Sequence, residues 1–201
     1  MGKLDVVGGE MLWVGQVDLG LGEIFAGQLK VVEGGADREC RMIDDLDDLV
    51  KSAVSEVFDT MLSLEIRQEP PGSEIRNEGP HVAGAVGFSG KVCGVVYIYS
   101  SALLARRITC GMLGLEEAEI DGDEMVNDTV GEMTNMVVGQ LKSRLCDRGA
   151  PCVLTVPSIV RGTNFTIEAV SSTSRRVLTF ECAGDQQLVV EVLVKTATIT
   201  E

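Results

Sequence analysis

The chain has 201 residues, 45% of them hydrophobic and 24% charged, with a formal net charge of −14. That is apolar material for one sizeable core or two small ones. An acidic surface repels phosphate backbones and anionic lipid, which argues against nucleic-acid and polybasic membrane roles, and no apolar run reaches the roughly 18 residues of a membrane span.

Residues 1–41 stand apart as a Gly-rich N-terminal extension. They hold nine of the 23 glycines, and no helix or strand period fits their short apolar groups. Trp13, the only tryptophan, is a candidate anchor there, and Met42 is a second plausible start. There is no basic segment followed by an apolar core and cleavage site, so export is not expected.

Residues 42–201 read as one domain. Asp44 to Leu62 has Val50, Val54, Val57 and Met61 on one helical face, and its Asp-rich start suits the positive end of the helix dipole. Leu64 to Gln68 is strand-like, and Pro70-Pro71-Gly72 ends it. Val82 to Phe88 and Val92 to Tyr99 form a hairpin joined at Ser89-Gly90. Ser101 caps a helix from Ala102 to Leu113, and Gly114 closes it. Asp121 and Glu124 resemble a capping box for a long helix from Glu124 to Leu145. Cys152 to Val156, Phe165 to Ser171, Val177 to Cys182 and Gln187 to Thr198 are strand-like. Helices with an antiparallel set of strands make an α+β domain.

The chemistry-bearing residues exclude several classes. The six cysteines are scattered without a C-x-x-C, which reads as reduced thiols in a cytoplasmic protein. A single histidine, His81, rules out multi-histidine metal sites. Neither G-x-x-x-x-G-K-[ST] nor G-x-S-x-G occurs.

The long helix is where a site can be read. Val126, Val130, Met133, Val137 and Leu141 share one face, while Asp128, Glu132 and Asn135 fall on a stripe roughly opposite. Gly139 continues that stripe and Gly131 lies beside it. Each glycine costs about 1 kcal/mol relative to Ala in a helix, so both are read as clearance for an approaching surface. On an arbitrary helix such a stripe is only a solvated face. A repeat argues otherwise. With an offset of 76, Ser52 falls on Asp128, Glu56 on Glu132 and Asp59 on Asn135, and strand-like runs follow both helices. The chain reads as two related halves about a pseudo-twofold axis. Asn135 has an amide that donates and accepts, whereas the Asp59 carboxylate only accepts and repels anions. Ser52, Glu56 and Asp59 are therefore read as a degenerate second site.

Asp128, Glu132 and Asn135, followed after 21 residues by Pro157, resemble the motif of the CheC/CheX/FliY family of chemotaxis phosphatases, the CheX type most closely. The family spacing before the proline is about 22. The resemblance covers Met42 to the C-terminus. It implies two long helices packed on an antiparallel sheet, removal of phosphate from a CheY-like response regulator, and a homodimer. It implies Glu132 and Asn135 as catalytic residues, with Asp128, Gly131 and Gly139 meeting the partner. No cofactor is expected on this chain; the Mg²⁺ belongs to the receiver. The competing readings are a non-catalytic assembly module of the flagellar-switch type and an adaptor that sequesters a receiver.

Overall fold

The computed structural model describes residues 3–7, 10–14, 45–62, 64–76, 79–163 and 173–195. Within the extension, β1 (Lys3–Val7) and β2 (Glu10–Val14) pair antiparallel, Lys3 opposite Val14. These are two strands in a segment whose apolar groups fit no period. Sequence periodicity fails because each strand is only five residues long. The docking role considered for the Trp13 side chain lies outside the described features, as does the possible strand Phe165 to Ser171.

Among the described residues, the domain is built on three helices and a seven-stranded antiparallel sheet. Helix α1 spans Leu46–Val57 and runs into a π-wound turn, Phe58–Leu62. A wider turn shifts the register of the buried face. Phe58 and Leu62 are buried and Met61 is thrown outward, contrary to its place on the expected apolar stripe. Short β3 (Ile66–Gln68) follows. Strands β4 (Pro80–Gly90) and β5 (Cys93–Ser101) form the expected hairpin with its turn two residues later, at Lys91-Val92. Helix α2 (Ala102–Leu113) starts where the Ser101 hydroxyl accepts from the Leu104 N–H and stops at Gly114, whose φ of 66° is left-handed.

Helix α3 (Gly122–Asp147) is the longest element. Asp121 makes no side-chain cap, so the anticipated capping box is absent. The backbone N–H of Glu116 instead donates to Glu119 Oε2 at 2.8 Å, in the 3₁₀ turn just before. Strands β6 (Cys152–Leu154), β7 (Ser158–Thr163), β8 (Thr173–Cys182) and β9 (Gln186–Lys195) complete the sheet.

The strand order β3-β8-β9-β5-β4-β6, with β7 also on β4, carries out the duplicated plan. Hairpin β4–β5 follows α1, and hairpin β8–β9 follows α3. The halves meet where β5 and β9 pair antiparallel, Val96 opposite Val192. Each half then edges the other: β3 pairs with β8, and β7 with β4. One sheet face carries Val82, Val86, Ile98, Val190 and Val192 into the main core with the helices. The other face carries a smaller buried cluster of Ala85, Val95, Tyr97 and Leu193.

Candidate functional site

Helix α3 is seated against α1, α2 and β4. Val126, Val130, Met133, Val137 and Leu141 are all buried, as their periodicity requires. One contact sets how close the helix comes to the sheet. A Cβ at Gly84 of β4 would lie 2.0 Å from Thr134 Oγ1, so only glycine permits this approach. The Thr134 hydroxyl donates to the Val130 carbonyl at 2.7 Å, which lets a polar residue sit fully buried there. Thr134 faces the sheet, and its neighbour Asn135 is thereby turned toward the rim.

The far side of the helix presents the stripe. Asp128 and Glu132 are exposed and Asn135 is half-buried. At 1.5 Å rise per residue, the three span roughly 10 Å along the axis. Among the described residues none of their side chains makes a hydrogen bond or ion pair within the chain. Two carboxylates at i,i+4 without cations repel each other by about 0.2–0.5 kcal/mol. The fold therefore keeps this stripe at a small cost and derives no stability from it.

The β6–β7 connection flanks the stripe. A Cβ at Gly131 would meet Ile159 at 3.7 Å and Pro157 at 3.8 Å. Pro157 thus lies beside the helix, one residue from Glu132. This also corrects the reading of Gly131 as clearance for a visitor. It is buried, and the neighbour it faces is the chain's own turn. At Gly139, by contrast, there is open space where a Cβ would be.

The turn is itself anchored. Thr155 donates its N–H to the Gly87 carbonyl, and its hydroxyl accepts from the Gly87 N–H, both at 2.9 Å. A side chain so fills the break between β6 and β7 along β4. Held this way, Val156 is 81% exposed next to Pro157. Sequence reasoning missed it; a valine ending a strand-like run carries no signal of being turned outward.

The first-half stripe is different. Arg144 of α3 donates to Glu56 Oε2 at 2.5 Å and to Ser52 Oγ at 3.1 Å. Asp59 is exposed and sits on the π-wound turn, off the regular helix that carries Ser52 and Glu56. The structure thus brings Asp128, Glu132, Asn135 and Pro157 together as an open set, while Ser52 and Glu56 are already engaged. Among the described residues no three ligating side chains converge on a metal position, and no helix is long and apolar enough to cross a membrane.

Comparison with known proteins places these features in context. A family model described as chemotaxis phosphatase CheX matches residues 82–181. The chain is 26% identical over 126 residues to the CheY-P phosphatase CheX of Thermotoga maritima, covering 60% of this chain and 80% of that one. It is similar to the crystal structure of chemotaxis protein CheX from Vibrio vulnificus, with 28% identity, a TM-score of 0.65, and 75% and 97% of the two chains covered. The same fold, at 23% identity and a TM-score of 0.65, is found in a CheX from Borrelia burgdorferi solved as a complex with CheY, BeF3 and Mg²⁺; 76% of this chain and 99% of that one are covered.

Proposed function

The chain belongs to the CheC/CheX family of chemotaxis phosphatases, and from that premise we propose that it hydrolyses the aspartyl phosphate of a CheY-like response regulator. The observation that carries the reading is the contrast between two related stripes. The one bearing the carboxamide stands open with its polar groups unsatisfied within the chain, and the other is closed by an arginine.

An aspartyl phosphate is a mixed anhydride and is already activated toward attack. Positioning and electrostatics supply what is needed. In the proposed complex, the Asn135 amide enters the receiver's site and hydrogen-bonds a water in line with phosphorus. An amide orients water without bringing negative charge toward the phosphoryl oxygens. The water oxygen bonds to phosphorus as the P–O bond to the aspartyl carboxylate breaks. The carboxylate leaves with the electron pair, and the water's proton ends on inorganic phosphate. Glu132 pairs with a cation of the receiver, the lysine beside its phosphoryl group, and so sets the docking register. Asp128 meets the receiver one turn earlier. Val156 and Pro157 offer an apolar edge to the same surface. The Mg²⁺ is the receiver's own.

The test is phosphate release from a phosphorylated receiver in Mg²⁺. Wild-type protein is expected to shorten the phosphate lifetime. Asn135→Ala is expected to lose about 100-fold in turnover, the scale for one polar group aimed at a reacting centre, with binding retained. Glu132→Ala is expected to weaken docking by about tenfold or more. An Asn135→Ala protein with wild-type turnover removes the mechanism. Tight binding by wild type without a shortened lifetime means sequestration in place of hydrolysis.

A further inference from the structure

The stripe on α1 has a more specific explanation than decay of its residues. The Arg144 guanidinium donates to Glu56 Oε2 at 2.5 Å through Nη2, and to Ser52 Oγ at 3.1 Å through Nη2 and at 3.3 Å through Nε. Its Nη1 is held by the Gln140 carbonyl and Gln140 Oε1, both at 3.1 Å. The arginine side chain is only 20% exposed. This is a fixed cation placed on the carboxylate that corresponds, at the offset of 76, to Glu132.

Resting on the reading above, the geometry points to Arg144 as an internal stand-in for the receiver's cation, making a latent docking surface on α1 unavailable and leaving one working site per chain. The asymmetry follows from helix length. Helix α3 runs to Asp147, whereas the matching element of the first half ends at Leu62. Shifted by the same 76 positions, Leu62 corresponds to Val138, so the turns of α3 beyond it have no first-half counterpart. Those turns carry Arg144, which reaches back to Ser52 and Glu56 on α1, and the C-cap Arg148 pairs with Asp45, the residue just before α1. The first-half residue matching Arg144 is Gln68, and it lies in β3 instead of on a continued helix. Nothing from α1 is therefore positioned to close the Glu132 stripe as α3 closes the Glu56 stripe. The Ser52–Glu56 surface retains the acid that a receiver cation needs. Its Glu56 side chain is 42% exposed, so the paired cation and not burial is what occupies it, and at its end it has Asp59 where an amide stands in the open copy.

Removing the internal cation and restoring the amide should open this surface. The probe is a CheY-type receiver activated with beryllofluoride and Mg²⁺, titrated calorimetrically. Wild type is expected to bind one receiver per chain, and Glu132→Ala/Asn135→Ala to bind none within the same range. Adding Arg144→Ala and Asp59→Asn to that disabled background is expected to restore one site, and in the intact background to raise the count from one to two. Arg144→Lys with Asp59→Asn keeps a cation on Glu56 and should stay closed. Arg148→Ala removes the neighbouring helix–helix ion pair without freeing Glu56, and it controls for loosened packing; it should add no site.

If the Arg144→Ala/Asp59→Asn protein melts cooperatively but binds no additional receiver, the assignment is overturned while the proposed function stands. If Arg148→Ala also adds a site, general loosening accounts for the gain and Arg144 is not the stand-in. If wild type neither binds the activated receiver nor shortens phosphate lifetime, the proposed function itself fails.

Discussion

At the scale of single residues, the described cysteines divide by surroundings. Burial pushes the Cys182 thiol up from 9.0 to about 11, with Arg107 only partly offsetting it, and burial also raises Cys152. Cys146, on the last turn of α3, is exposed. At pH 8 a thiol of pKa about 11 is thiolate in roughly one molecule per thousand. Among the described cysteines, iodoacetamide is therefore expected to modify Cys146 first and to leave Cys152 and Cys182 unmodified in the native protein, with peptide mass mapping as the readout. The folded state holds the Cys182 proton to higher pH than the unfolded chain does, so this residue's contribution is intact below pH 9 and is lost as pH rises toward about 11. The loss runs at about 1.4 kcal/mol per pH unit. Urea midpoints between pH 8 and 10.5 should fall less steeply for Cys182→Ala than for wild type.

The stripe of the candidate site was legible at this scale because helical periodicity and side-chain chemistry are local properties. Asp128, Glu132 and Asn135 could be placed on one stripe from spacing alone. Gly131 could not be separated from Gly139 in that way. Each is a glycine near the same face, and only the path of the β6–β7 turn, more than twenty residues on, decides that one is covered and the other open. Arg144 was invisible for a related reason. An arginine near a helix C-terminus suits the helix dipole, and its partner lies 88 positions earlier in the chain.

At the scale of elements, the two glycines that matter to α3 should respond in opposite directions. Gly84→Ala places a methyl 2.0 Å from Thr134 Oγ1, inside a contact between helix and strand that has no slack. It is expected to destabilise by about 1–3 kcal/mol, as overpacked cores do, and to lower phosphatase activity by displacing Asn135. Gly139→Ala meets nothing and sits inside a helix, so it should stabilise by about 1 kcal/mol. Chemical denaturation measures both. If Gly139→Ala raises stability while weakening receiver docking, the open space at that position serves the partner. Ordinary stability and unchanged docking would mean that it serves nothing detectable. Helix boundaries were legible where caps are local, as at Ser101 and Gly114. They were not legible at Phe58–Leu62, where a π-wound turn buries Phe58 and Leu62 out of step with the α-helical period.

At the scale of the whole molecule, neither half is a complete sheet. Strand β5 needs β9, β3 needs β8, and β4 needs β7. A chain severed in the exposed turn around Glu117–Glu119 should give two fragments that are unfolded alone and fold when mixed. Circular dichroism of each fragment and of the mixture decides it; an independently folded fragment would contradict the exchange of edges. The duplicated plan was readable from the offset of 76, but the exchange was not, because strand alternation gives faces and not neighbours.

The central β5–β9 pairing has a consequence for synthesis. Strand β5 ends at Ser101, and its second neighbour does not begin until Gln186. At roughly 5–20 residues per second, the bare edge of a Val- and Tyr-rich strand waits several seconds on the ribosome. During that interval, the part of the nascent chain most prone to intermolecular pairing is the seam that later joins the two halves. A chaperone that shields extended apolar segments would be needed most at this stage of translation, and least once Lys195 has emerged.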